Sequence, residues 1–161
     1  MTQNTNNSIS VLSLSWRLRQ GATNLYGRGA YKTERHHLDF VINGKSLFDA
    51  LGAVNYDFVG CLGWAIEGQD ELTIRQLLLE EPAPIPAHRN MLFVCSECGD
   101  LGCGAITSEL TLCDGIITWR DFAYENDYDP EMTNRDKFRH VGPFGFDFKQ
   151  YSDVLQNWPS R

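Results

Sequence analysis

The stretch Met91–Tyr124, MLFVCSECGDLGCGAITSELTLCDGIITWRDFAY, decides the fold. Met91–Cys95 is an almost unbroken apolar run, the pattern of a strand covered on both faces. Ala105–Leu112 alternates, with Ile106, Leu110 and Leu112 inward and Thr107, Glu109 and Thr111 outward. Cys113-Asp114-Gly115 supplies a turn, and Ile116–Tyr124 runs back as a third strand. Three consecutive strands with short connections make an antiparallel meander. Its first connection is the loop Cys95–Gly104, which holds three cysteines and three glycines.

Working outward toward the N-terminus, Ile9–Arg19 alternates through Leu12, Leu14, Trp16 and Leu18, the signature of a half-buried strand. Gln20–Lys32 carries three glycines and reads as a loop, and His37–Ile42 alternates again. Asn43-Gly44 behind it is a strong hairpin signal. Asp70 is placed to cap a helix running through Glu81, with Ile74, Leu77 and Leu78 on one face, and the prolines of residues 82–87 stop it. Beyond the meander, Gly142-Pro143 gives a bend. Asp147 with Gln150 then forms a capping box for a helix whose Phe148, Tyr151, Val154, Leu155 and Trp158 share a stripe. The expectation is an α+β fold, an antiparallel sheet of five or six strands with two main helices in one layer over it. Residues 1–8 read as a flexible N-terminus and 9–161 as a single domain.

A chain of 161 residues can bury a core without staples, and 42% hydrophobic residues against 22% charged describe a globular protein. The polar opening MTQNTNNSIS and the lack of a long apolar run lead us to expect a cytoplasmic protein with no membrane contact. Five cysteines cannot form a complete disulfide framework, so thiols or metal thiolates are expected. The net charge of −7 argues against nucleic acid as a partner. Residues 67–136 hold fifteen acidic residues against four arginines and no lysine, a net of −11, whereas each flanking part is +2.

The cysteine loop reads Cys95-x2-Cys98-x4-Cys103, and thiolates at this spacing can converge on Zn²⁺. Cys113 lies ten residues beyond Cys103 along a strand, roughly 30 Å away at ~3.3 Å per residue, and cannot complete the site. A fourth ligand would come from Cys61, from one of His36, His37, His88 and His140, or from Asp100. A redox role for Cys95 and Cys98 would need a helix N-terminus, and the glycines that follow argue for a hairpin instead. Glu125, Asp127, Asp129 and Glu131 alternate as in a calcium loop, yet Met132 stands where glycine is needed and Phe138 where the closing glutamate belongs. No nucleophile with a local base and no phosphate loop is present, so no catalytic residue is assigned.

CSECGDLGCGAITSEL, then ITWRDFAYENDYDP and VGPFGFD, resemble a family of uncharacterised bacterial proteins with a CxxCGDLGCGA loop, a W-x-D-F-x-[YW]-E-N strand end and a VGPF segment. The resemblance covers residues 89–148. It implies a bacterial origin and a shared fold, and no activity.

The function expected from these residues is that of a non-enzymatic acidic binding protein, an inhibitor or immunity protein that neutralises a basic bacterial toxin or nuclease and needs no cofactor. Aromatic residues flanked by acids resemble the core and rim of an interface. They place the partner site on Trp119, Asp121, Phe122, Tyr124, Glu125, Asp127, Tyr128, Asp129 and Glu131. The alternative is a small zinc or thiol protein using Cys95, Cys98 and Cys103.

Overall fold

A computed structural model describes residues 8–127 and 134–161. The meander forms as its pattern demands: β7 (Arg89–Cys95), β8 (Ala105–Cys113) and β9 (Ile116–Glu125) pair antiparallel. β6 (Phe58–Gly60) and β10 (Phe144–Asp147) flank them, in the order β10-β9-β8-β7-β6. At the β8–β9 turn Asp114 and Gly115 both take left-handed angles, φ 50 and 75, the geometry that lets a two-residue turn follow the twist of its strands.

A second sheet holds β1 (Leu12–Arg19), β4 (Arg35–Ile42) and β5 (Lys45–Ser46), with the Asn43-Gly44 hairpin at its far end. Its apolar side packs on one face of the meander, where Phe40 meets Phe93 and Trp119 edge-on, at centroid distances of 6.0 and 5.1 Å. The sheets meet backbone to backbone at β6 and just beyond it: Leu38 N–H donates to Leu62 O at 3.0 Å, and a Cβ on Gly60 would stand 1.9 Å from Leu38 O. This contact explains why His37 through Phe40 are all buried although their pattern alternates: β4 has strands beside it and the meander behind it. The stretch Gln20–Lys32, expected as a loop, instead contains a small hairpin, β2 (Ala22–Leu25) with β3 (Ala30–Lys32).

The short α1 (Leu47–Ala50) is capped by Ser46, whose side chain accepts from Asp49 N–H. Two nine-residue helices, α2 (Gln69–Leu77) and α3 (Phe148–Gln156), complete the α+β fold. Asp70 does not cap α2. Gly68 takes that place with φ 85, and the Asp70 carboxylate instead accepts from Gly63 N–H at 3.2 Å. The helix also stops short of Glu81: Leu79 turns left-handed at φ 60, and Glu80 N–H and Leu79 N–H close on the carbonyls of Arg75 and Gln76. These bonds satisfy the orphan carbonyls that every helix end leaves.

α3 begins as expected, with Asp147 accepting from Gln150 N–H at 3.0 Å. The Gln150 side chain does not complete the box. Its amide pairs with the backbone of Leu12, donating to the carbonyl at 2.8 Å and accepting from the N–H at 3.3 Å, so it ties α3 to β1. Tyr151 buries its ring against Trp119 and Phe146, and its hydroxyl donates to Leu77 O at 2.8 Å while accepting from the Trp119 indole at 3.2 Å. No helix is long and apolar enough to cross a membrane among the described residues.

Candidate metal centre

Cys95 is the last residue of β7, and the chain there must reverse to enter β8. Gly99, at φ 68, makes the reversal and donates its N–H to Cys95 O at 2.9 Å. Asp100 caps a 3-10 turn over Leu101–Cys103 by accepting from Gly102 N–H at 2.8 Å. Gly104 then passes so close to the Tyr124 ring that a Cβ would lie 2.5 Å from its hydroxyl oxygen. These constraints bring Cys95, Cys98 and Cys103 together, with all three Sγ atoms within 4.8 Å of one another and the last two 3.5 Å apart. Tetrahedral zinc with Zn–S near 2.3 Å needs sulfurs about 3.8 Å apart, so the loop holds the donors at a spacing suited to the ion.

Electrostatics point the same way. Asp100 N–H donates to Cys98 Sγ at 3.4 Å. Burial pushes the Cys95 thiol up, but the backbone N–H groups of Cys98 and Glu97 and the two neighbouring thiols outweigh it and bring the group below its ordinary value. Contact with Cys98 and the charge of Cys95 push Cys103 up to about 11. One thiolate therefore opposes the next, and a bound dication removes that opposition.

No fourth Cys, His, Asp or Glu joins the three sulfurs among the described residues. Cys61 stays outside the cluster, and burial, with the charge of Asp70, raises its thiol to about 12. His37 spends Nδ1 accepting from Gly60 N–H at 2.9 Å. Glu97 is turned away toward Arg19 and Thr33, with Arg19 Nη1 donating at 2.7 Å. Cys113 is exposed at the opposite end of β8.

The residues expected to form a partner surface do not converge as one. Trp119 and Phe122 are 0% and 2% exposed: three residues apart, they would point to opposite faces of a regular strand, and the bulge at Asp121 puts both in the core, so neither can anchor a partner. Tyr124 is half-buried and stacks on Tyr56 at 5.4 Å. Asp121 and Glu125 close instead on Arg89, a buried guanidinium that also meets Thr107, with salt bridges of 3.2 and 3.1 Å. A bulge allows this: Asp121 has φ 55, and the β8–β9 register shifts between Thr107 and Glu109. Asp127 remains exposed. Tyr128, Asp129 and Glu131 lie outside the described residues, as do residues 1–7 of the expected flexible N-terminus. The Arg89 cluster was not legible in RNMLFVC, where the arginine looks like a strand-end charge.

No protein-family model, curated protein or solved structure matches the chain.

Proposed function

We propose that the protein is a non-enzymatic metal-thiolate protein whose Cys95, Cys98 and Cys103 hold Zn²⁺, with an exogenous fourth ligand. The carrying observation is the convergence of three sulfurs, one of them receiving a backbone N–H bond, on a loop whose glycines are needed for its path. All five cysteines are unpaired, and we assign the chain to the reducing bacterial cytoplasm, where thiolates persist.

The test is elemental analysis of protein purified without chelator, with X-ray absorption at the zinc edge. Roughly one zinc per chain with Zn–S distances near 2.3 Å is expected, and Cys98→Ser should lose it. Metal-free protein whose three loop thiols are alkylated as readily as exposed Cys113 would remove the reading.

A second reading keeps the acidic binding protein, an inhibitor or immunity protein for a basic toxin or nuclease. It rests on exposed Asp127 and the net charge of −11 over residues 67–136. Such charge steers association more than it fixes affinity. Charge reversal at Asp127 and Asp129 should slow association with a basic partner and flatten its salt dependence; an unchanged rate would take that loop out of the interface.

A further inference from the structure

A cavity of about 390 Å³ lies between α2 and the β7–β8 connection, and three kinds of wall enclose it. Trp64, Met91 and Val94 give it an apolar side, part of a small cluster with Val59 and Ala105 that is separate from the main core. α2 turns Gln69, Thr73 and Gln76 toward it, residues spaced four and three apart and therefore on one face. The charged Glu71 and Arg75 of the same helix are exposed.

The third wall is a cation. Arg35 donates Nε–H to Ser96 O at 3.0 Å and Nη2–H to Glu97 O at 3.3 Å, and its guanidinium lies 4.6 Å over the Trp64 ring. It makes no salt bridge with any described residue, and its cross-strand neighbour is another cation, Arg19. Of the five N–H groups of a guanidinium, these two bonds leave three. Arg35 is the one cationic side chain of the wall, and Glu97, its one carboxylate, is already engaged by Arg19 and Thr33.

Asn90 adds an independent sign. It lines the same cavity, is 2% exposed, and its Nδ2 is the one buried side-chain polar atom without a hydrogen-bond partner among the described residues. Buried donors are nearly always paired, so an unpaired one in this wall marks a side chain not fully engaged by the protein's own packing.

We propose that this cavity binds a small monocarboxylate with a ring-sized apolar body. The carboxylate accepts from the open N–H edge of Arg35, a pairing matched in shape and charge. The body packs on Trp64, Met91 and Val94 beside Asn90, and a polar substituent meets the stripe of α2. One negative charge suits the site: a single uncompensated cation faces the cavity in a chain of net charge −7, which disfavours a dianion such as a phosphate monoester. The cavity borders Cys98 but does not depend on the metal.

Titration of the full chain by two-dimensional NMR tests this with benzoate, phenylacetate and 3-phenylpropanoate. The matching amides serve as neutral controls and phenyl phosphate, at about pH 7.5, as the dianion. Saturable single-site binding of at least one carboxylate is expected, with shifts at the Trp64 indole and the Asn90 amide. The amides should bind at least about tenfold more weakly, and Arg35→Gln should weaken the carboxylate by a similar factor. No saturation by any carboxylate at about 10 mM would overturn the proposal. So would amides or phenyl phosphate binding as tightly, or shifts confined to residues away from Trp64 and Asn90. Should Arg35→Gln fail to fold, the carboxylate-to-amide ratio on the unaltered chain decides the question alone.

Discussion

Lowering the pH from 7 to about 4.5 should destabilise this protein through one buried imidazole, His37. The ring is 2% exposed, packs 5.6 Å from Phe48, and accepts from Gly60 N–H through Nδ1, so the native state requires it neutral. Burial, then the charges of Arg17 and His36, lower it to about 4, opposed by the backbone of Leu38. Its native pKa thus lies below its unfolded value of 6.5. The associated stability is complete above that value and is lost as the pH falls toward 4, because only the unfolded chain takes up the proton in that window. At about 1.4 kcal/mol per pH unit, integration from pH 7 to 4.5 gives a loss of about 2 kcal/mol once solvent screening is allowed for. Urea unfolding across that range should show the midpoint falling steadily. His37→Asn supplies a side-chain oxygen for Gly60 N–H but cannot titrate, so it should start less stable, being smaller, and then lose little further. Other groups titrate near this window. Glu97, held down to about 2 first by the Thr33 N–H and then by Arg19, loses its contribution below 4.5, whereas burial raises Asp39 and gives it the opposite sign. Both are common to the two chains and cancel in the difference. Equal slopes for the parent and His37→Asn would refute the assignment.

Gly60→Ala should destabilise by about 3 kcal/mol or more, because its Cβ would meet a backbone carbonyl that neither sheet can withdraw, and calorimetry would report it as a lowered Tm. Glu125→Ala should cost about 3 kcal/mol or more in chemical denaturation, since it leaves the buried Arg89 charge short of a partner; Arg89→Met with Asp121→Asn and Glu125→Gln should recover part of that loss. Trp119→Phe should cost about 2–4 kcal/mol, combining lost volume with loss of the indole N–H bond to the Tyr151 hydroxyl, which keeps its bond to Leu77 O, and loss of near-ultraviolet ellipticity should accompany it.

Strands β1, β4 and β7–β9, the two-residue turns and the α3 cap were readable because each depends on residues close in sequence, whereas β2, β3, β6 and β10 were not. Leu12 through Leu18 alternate, Asn43-Gly44 and Asp114-Gly115 adopt the left-handed angles their turn requires, and Asp147 reaches only to Gln150. The start and end of α2 were misread where a contact or a left-handed residue outweighed propensity. Asp70 found Gly63 N–H, and Leu79 took an angle usually left to glycine.

Local residue order thus carried the α+β composition, the meander and the presence of three cysteines on one connection. Only the tertiary structure decided that β1 and β4 form a second sheet against the meander, that Trp119 and Phe122 belong to the core, and that the acids of the strand end close on Arg89. It also decided that Arg35 and Asn90, 55 positions apart, line one cavity beside α2. Periodicity records which way a side chain points from its own strand. What it points at is set by the packing of distant segments, and there the polarity of Asp121 or the aromaticity of Trp119 takes its meaning from a partner that no local pattern names. The cysteine loop stands between the two cases, since its spacing was visible at once and the convergence of its sulfurs depended on the path that Gly99 and Gly104 impose.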